Sequence, residues 1–148
     1  MHIRPATLAD VPAVVRMSER FYATTSYNQW APFNADTVEA LAATLTESHV
    51  MLIAEHDGEA VGMVGLFVAP FTFNADRIGA YEVVWWVEPE GRATGAGKAL
   101  LAAIQPACEA RGCHSIQMVH LNNSPPQAAM LYERAGFTHT ESSFTKTL

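Results

Sequence analysis

Apolar residues recur along this chain with two periods, and the switches between them predict most of its secondary structure. His2-Ile3-Arg4 reads as a short strand. Thr7 or Asp10 is placed to cap a helix carrying Val11, Val14, Val15 and Met17, with Pro12 in its first turn. Residues 22–34 then break the pattern with Tyr22, Tyr27, Trp30 and Phe33 among polar side chains, which suits a loop or lid. Asp36 and Glu39 form a capping-box-like pair around a second helix, whose buried face would be Val38, Leu41, Ala42 and Leu45.

Residues 50–54, the Asp57-Gly58 turn and residues 60–69 predict a hairpin, and a further strand is expected over residues 80–87. A glycine-bearing loop follows, Pro89 to Gly97. Residues 98–111 then carry Leu100, Leu101 and Ile104 at helix-compatible positions, closed by Gly112. Residues 115–121 read as another strand, with Ile116, either Met118 or Val119, and Leu121 as its apolar positions. Pro125-Pro126 can start a helix through Met130, Leu131 and Tyr132 that Gly136 stops, and residues 137–148 fit one or two closing strands. No repeat or linker interrupts this order. The expected class is α+β or mixed α/β, as one domain over residues 1–148.

Composition narrows the function classes. With 148 residues, 49% of them hydrophobic, the chain can bury roughly 68 to 70% of its unfolded surface. That excludes a disordered chain. A formal net charge of -6 and the lack of any Lys/Arg block argue against a nucleic-acid binder. The surplus is local: seven acids (Asp36, Glu39, Glu47, Glu55, Asp57, Glu59, Asp76) and no Lys or Arg lie between Phe21 and Asp76, while the remainder counts +1. Such a segment favours a cationic partner through electrostatic attraction. Cys108 and Cys113 suit free thiols, and the six histidines are scattered without metal-ligand spacing, so no metal is expected. No apolar stretch is long enough to cross a bilayer and no targeting pattern opens the chain, so a cytoplasmic protein without membrane association is expected.

The loop after the fourth strand carries the chemistry. A helix starting behind glycines offers unpaired backbone N–H groups and the positive end of its dipole, a natural phosphate site. A Walker A loop would need glycine at position 92 and Ser or Thr after the lysine, where the chain has Arg92 and Ala99. A dinucleotide fingerprint would need a third glycine where Leu100 stands.

The run Val87-x-Pro89-x-x-Arg92-x-x-Gly95-x-Gly97-x-x-Leu100 resembles the acyl-CoA-binding motif of the GNAT superfamily of N-acyltransferases. Ala128-x-x-Leu131-Tyr132-Glu133-x-x-Gly136-Phe137 is similar to that family's closing helix and strand, and Ile3-Arg4-Pro5-Ala6 with Asp10 to its opening. The resemblance implies a mostly antiparallel mixed sheet, splayed between strands four and five and flanked by about four helices, with the pantetheine arm of coenzyme A in the split. It implies cofactor contacts from Arg92, Ala93, Thr94, Gly95, Ala96, Gly97 and Lys98, from Trp85 and Val87 on strand four, and from Asn123. Here Pro125 replaces the asparagine that many members carry seven residues before the helix tyrosine, and Asn122 or Asn123 is the substitute at hand.

Amine acylation by a thioester needs an unprotonated nitrogen, a polarised carbonyl and a proton for the departing thiolate. A primary amine with a pKa near 10.4 needs a base at neutral pH. Glu82, a carboxylate inside an apolar strand, is the candidate. Period-2 alternation sets it with Val84 and Trp86 on one face, opposite Tyr81, Val83, Trp85 and Val87. A solvated strand-end glutamate is the alternative reading, and His120 an alternative base. By resemblance Tyr132 is the donor to the coenzyme A sulfur, and the backbone N–H of Val87 polarises the carbonyl. Tyr22, Tyr27, Trp30, Phe33, Phe71 and Phe73 are candidates for the acceptor lining.

The reading is an acetyl-CoA-dependent N-acetyltransferase acting on a primary amine, a cationic small molecule or peptide among the options, with homodimerisation expected. A coenzyme A-binding regulatory domain without turnover, or transfer to oxygen or from a longer acyl donor, are its alternatives.

Overall fold

A computed structural model describes residues 1–148. Five strands, β1 (His2–Pro5), β2 (Val50–His56), β3 (Glu59–Phe71), β4 (Asn74–Val87) and β5 (Ser115–Gln117), form one open sheet in the order β1-β2-β3-β4-β5. The first four are antiparallel neighbours, and β5 joins β4 in parallel. Helices α1 (Val11–Thr24) and α2 (Ala35–Ser48) cover one face, where Val14, Met17, Leu45, Ile53 and Met63 are buried together. Helix α3 (Ala96–Glu109) covers the other with Leu100 and Ile104, and α4 (Pro126–Arg134) adds Tyr132 to that cluster. Each such side chain removed from water contributes about 1.5–3 kcal/mol.

Local chemistry explains the element starts. The Asp10 carboxylate accepts from both the backbone N–H (2.7 Å) and the hydroxyl (3.0 Å) of Thr7 and takes two bonds from the Arg4 guanidinium, each 2.8 Å. Arg4 also reaches Glu55 at 3.0 Å, which ties β1 to β2. Pro12 lies in the first turn of α1 as expected. For α2 the cap is a different residue: the Asn34 side chain accepts from the Thr37 N–H at 2.8 Å, so Asp36 and Glu39 are exposed helix residues and not a capping pair.

Three further expectations change. Residues 138–148 form no strand and are exposed throughout. Their two apolar residues, Phe144 and Leu148, are too few and too far apart to hold a buried face. The fifth strand is also short. β4 and β5 pair only at Gly79/Ser115, Ala80/Ile116 and Tyr81/Gln117, and then part. This opens the split that the sheet architecture was expected to have.

The third change is in β4. Gly65 faces Val84 while Leu66 faces Glu82, which leaves Val83 as an extra residue, a β-bulge. Across it the alternation changes phase. Ala80 on one side and Trp85 and Val87 on the other all pack toward α3, whereas Val84 and Trp86 pack toward α1 and α2. Glu82 therefore shares the face of Trp85, contrary to unbroken alternation.

Candidate active site

Where β4 and β5 part, Glu82, Val119 and Tyr132 converge. The Val119 N–H donates to Glu82 Oε2 at 2.7 Å, and the Val119 carbonyl accepts from the Tyr132 hydroxyl at 2.9 Å. The same hydroxyl lies 3.4 Å from Glu82 Oε2. One hydroxyl proton serves one acceptor well, and the shorter contact to Val119 holds it. Val119 is thus a backbone bracket between two side chains that lie 50 residues apart in sequence. Its N–H bonds to a side chain because β5 has already left the ladder.

The surroundings set the protonation states. Burial pushes the Glu82 carboxyl up to about 7, against the opposing bonds from Val119 and Tyr132. Burial, then the nearby Glu82 charge and its hydrogen bond, drive the Tyr132 phenol well above the ordinary tyrosine range. The pair is therefore a carboxyl that titrates near neutrality beside a phenol that stays protonated.

A cavity of about 560 Å³ lies over this pair, walled by Trp85 and Val87 from β4, Leu121 and Asn123 from the loop after β5, and Ala128 and Leu131 from α4. Trp85 stacks on Tyr132 with ring centroids 5.3 Å apart, and its indole N–H is buried without a hydrogen-bond partner. The Glu88 N–H bonds to the Val61 carbonyl at 2.9 Å. In an antiparallel ladder the adjoining Val87, opposite Gly62, then turns its own N–H and C=O away from β3, toward the split.

The glycine loop sits at the end of the cleft. Residues Pro89–Thr94 form a 3-10 turn, and Gly95, at φ 83°, caps α3 in the left-handed region that favours glycine. The Ala99 N–H makes a helical bond to the Gly95 carbonyl, and the N–H groups of Gly97 and Lys98 lie ahead of it in the orphan first turn. A Cβ at Gly97 would meet only Val87 at 3.6 Å and Trp85 at 3.7 Å, ordinary contacts. The fold does not demand a glycine there.

Other expected contacts fall differently. The Arg92 guanidinium lies over the Trp86 ring at 5.0 Å, and its Nε donates to the Val87 carbonyl at 3.3 Å. Trp86 in turn donates to the buried Glu88 carboxylate at 3.1 Å, which pairs with Arg20 at 3.1 Å. This Arg20–Glu88–Trp86–Arg92 chain fixes one charged group at the cleft mouth, and sequence reasoning missed Glu88 within it. Thr94 bonds back to the Gly91 carbonyl at 2.6 Å; Ala93 and Lys98 are exposed, and Ala96 is buried in the core. The Asn123 amide donates to the Thr24 carbonyl, so it straps the β5 loop to α1 while lining the cleft. His120 is exposed and bonds to the Pro125 carbonyl at 3.2 Å, away from Glu82. Among the expected acceptor residues, Tyr27 lines the cleft, whereas Phe71 and Phe73 meet edge to face at the exposed β3–β4 turn. None of the seven acids between Phe21 and Asp76 lines the cleft.

The chain matches the acetyltransferase (GNAT) family over residues 14–137. It is 31% identical over 146 residues to the uncharacterized N-acetyltransferase YhfO of Bacillus subtilis (strain 168), with 93% of this chain and 89% of the relative covered. It is 30% identical over 144 residues to the aminoglycoside N(6')-acetyltransferase type 1 of Stenotrophomonas maltophilia, covering 94% and 87%. Its fold superposes with a TM-score of 0.74 on the crystal structure of a predicted acetyltransferase with acetyl-CoA from Clostridium acetobutylicum, at 18% identity and over 99% and 95% of the two chains. The chain belongs to the GNAT acetyltransferase family.

Proposed function

We propose that this protein transfers an acetyl group from acetyl-CoA to a primary amine. The observation that carries the reading is the convergence of Glu82 and Tyr132 on Val119 at the floor of the cleft. The cleft suits a pantetheine arm: it lies where β4 and β5 part, and it is walled by the Trp85 side chain and by Val87, whose N–H points away from β3. The open side of Gly97 and the first turn of α3 suit the pyrophosphate.

Acetyl-CoA would supply an activated acetyl group and a thiolate leaving group. Glu82, half ionised near pH 7, takes a proton from the amine at Oε2. For transfer the Tyr132 hydroxyl would turn its one proton from the Val119 carbonyl toward the leaving sulfur. Its raised pKa makes it a poor net acid, because a thiol releases its proton near pH 8.5. The protonated Glu82 carboxyl is the stronger acid, and 3.4 Å separates it from the Tyr132 hydroxyl. The proton that ends on sulfur therefore comes from Glu82, relayed as Tyr132 gives up one proton and takes another. Positioned proton transfer of this kind contributes roughly 10²- to 10⁴-fold, and positioning amine against thioester supplies the remainder.

The test is thiol release from acetyl-CoA with a panel of primary amines, one arm of it an aminoglycoside because one relative carries that name. Turnover that depends on Tyr132 and Glu82 supports the reading. Binding of acetyl-CoA with no turnover for any amine overturns it in favour of a regulatory domain.

A further inference from the structure

A second cavity, of about 300 Å³, lies between α1 and α2 and borders the cleft: Phe21, Tyr27 and Val83 line both. Its wall carries no Asp, Glu, Lys or Arg. Val14, Phe33, Val38, Leu41 and Leu45 are among its apolar residues, and Ser18, Asn34 and Thr37 among its few polar side chains. The Asn34 carbonyl oxygen is already spent on the Thr37 N–H. The loop over the cavity is pinned. The Tyr22 hydroxyl is within hydrogen-bond reach of the Tyr27 and Ala31 carbonyls, and its ring packs on Phe33 at 5.7 Å.

Resting on the acetyltransferase reading above, we infer that this chamber takes the apolar body of the acceptor, which is a small primary monoamine bearing an alkyl or aryl group. The amine end lies in the cleft by Glu82, and the body passes between Phe21, Tyr27 and Val83 into the chamber. The Val83 bulge sits at the boundary of the two cavities. Glu82 turns to the Tyr132 side, and the next residue, Val83, lines the junction of the two cavities. The volume equals the share of about ten water molecules, which is phenylalkyl size. A polycationic acceptor has no carboxylate to meet in the chamber, and in the cleft only Glu82 is acidic. Burying a second ammonium among these side chains carries an uncompensated desolvation penalty.

The experiment has two arms. The first measures kcat/KM for n-alkylamines of rising length, phenylbutylamine, spermidine and an aminoglycoside. Expected is a rise of roughly fourfold per methylene until the chamber fills, with phenylbutylamine well above both polycations. Val38→Trp should cut the phenylbutylamine-to-methylamine ratio of kcat/KM at least tenfold, and Leu41→Ala should move the optimum to longer chains, folding being checked by circular dichroism. The second arm measures binding of phenylbutylamine and spermidine by calorimetry in the presence of coenzyme A, independent of turnover. Tighter phenylbutylamine binding that Val38→Trp weakens supports the chamber even if no acetyl transfer occurs, a result that would sink the enzyme reading alone. A flat chain-length profile, a preference for the polycations, or indifference to both substitutions overturns the chamber and leaves acetyl transfer standing.

Discussion

The two cavities that meet at Val83 are built on opposite plans. The cleft holds a buried carboxyl, a buried phenol and a backbone group that bonds to both, so its reactive groups are few and held in place. The chamber holds mostly apolar wall and no charge. One is suited to moving protons and the other to measuring shape. Their difference locates chemistry and selection in separate side chains, which makes the two separable by mutation.

The largest expected effect lies in the cleft. Glu82→Gln should lower kcat/KM by 10²- to 10⁴-fold and abolish the rise of kcat/KM with pH centred near 7. A surviving limb at that pH would assign the base elsewhere. The same substitution should change stability with a defined sign. The carboxyl sits at about 7 in the fold and at 4.5 when unfolded, so its contribution is full below 4.5 and is lost as pH rises through 7. Glu82→Gln should therefore gain up to about 3 kcal/mol relative to wild type by pH 8, read as urea midpoints at both ends of the range. A more active site and a less stable fold would then be two outcomes of one buried group.

Tyr132→Phe comes next, at about 10²-fold in kcat. It should cost only about 1 kcal/mol of stability, since a single hydrogen bond to Val119 is lost. If kcat holds, Tyr132 is only a packing residue and the relay is wrong. Smaller again is Gly97→Ala. The methyl group meets ordinary contacts, so melting should be unchanged while acetyl-CoA affinity falls about tenfold; unchanged affinity would remove the loop from the binding site. Substitutions in the chamber should move acceptor preference and leave the pH limb where it is, which is the sharpest form of the contrast.

The same contrast explains what could be read from sequence. Glu82 stood out because a carboxylate inside Tyr81 to Val87 is costly, and Gly95 and Gly97 because glycines ahead of a helix leave amides free. The family resemblance supplied Tyr132 and the split. What stayed hidden depends on pairing partners. The bulge at Val83 is set by the β3 register, so simple alternation placed Glu82 and Trp85 on opposite faces when they share one. Val119 acts through its backbone, to which its side-chain type gives no clue. The chamber is lined by residues whose helical spacing reads equally well as core, and only the approach of α1 to α2 shows which faces leave a void. The clustered charge is placed apart from both cavities: the seven acids line neither, and Glu55 is spent on Arg4.

The bulge also fixes how this protein can be redesigned. β4 counts its residues in one phase before Val83 and in the other after it, so the strand behaves as two short rulers joined out of step. Removing or inserting one residue there would realign the rulers and exchange inward for outward along a whole half-strand. Variation in acceptor range is therefore open to changes of side chain on α1 and α2, and closed to changes of length in the strand beneath them.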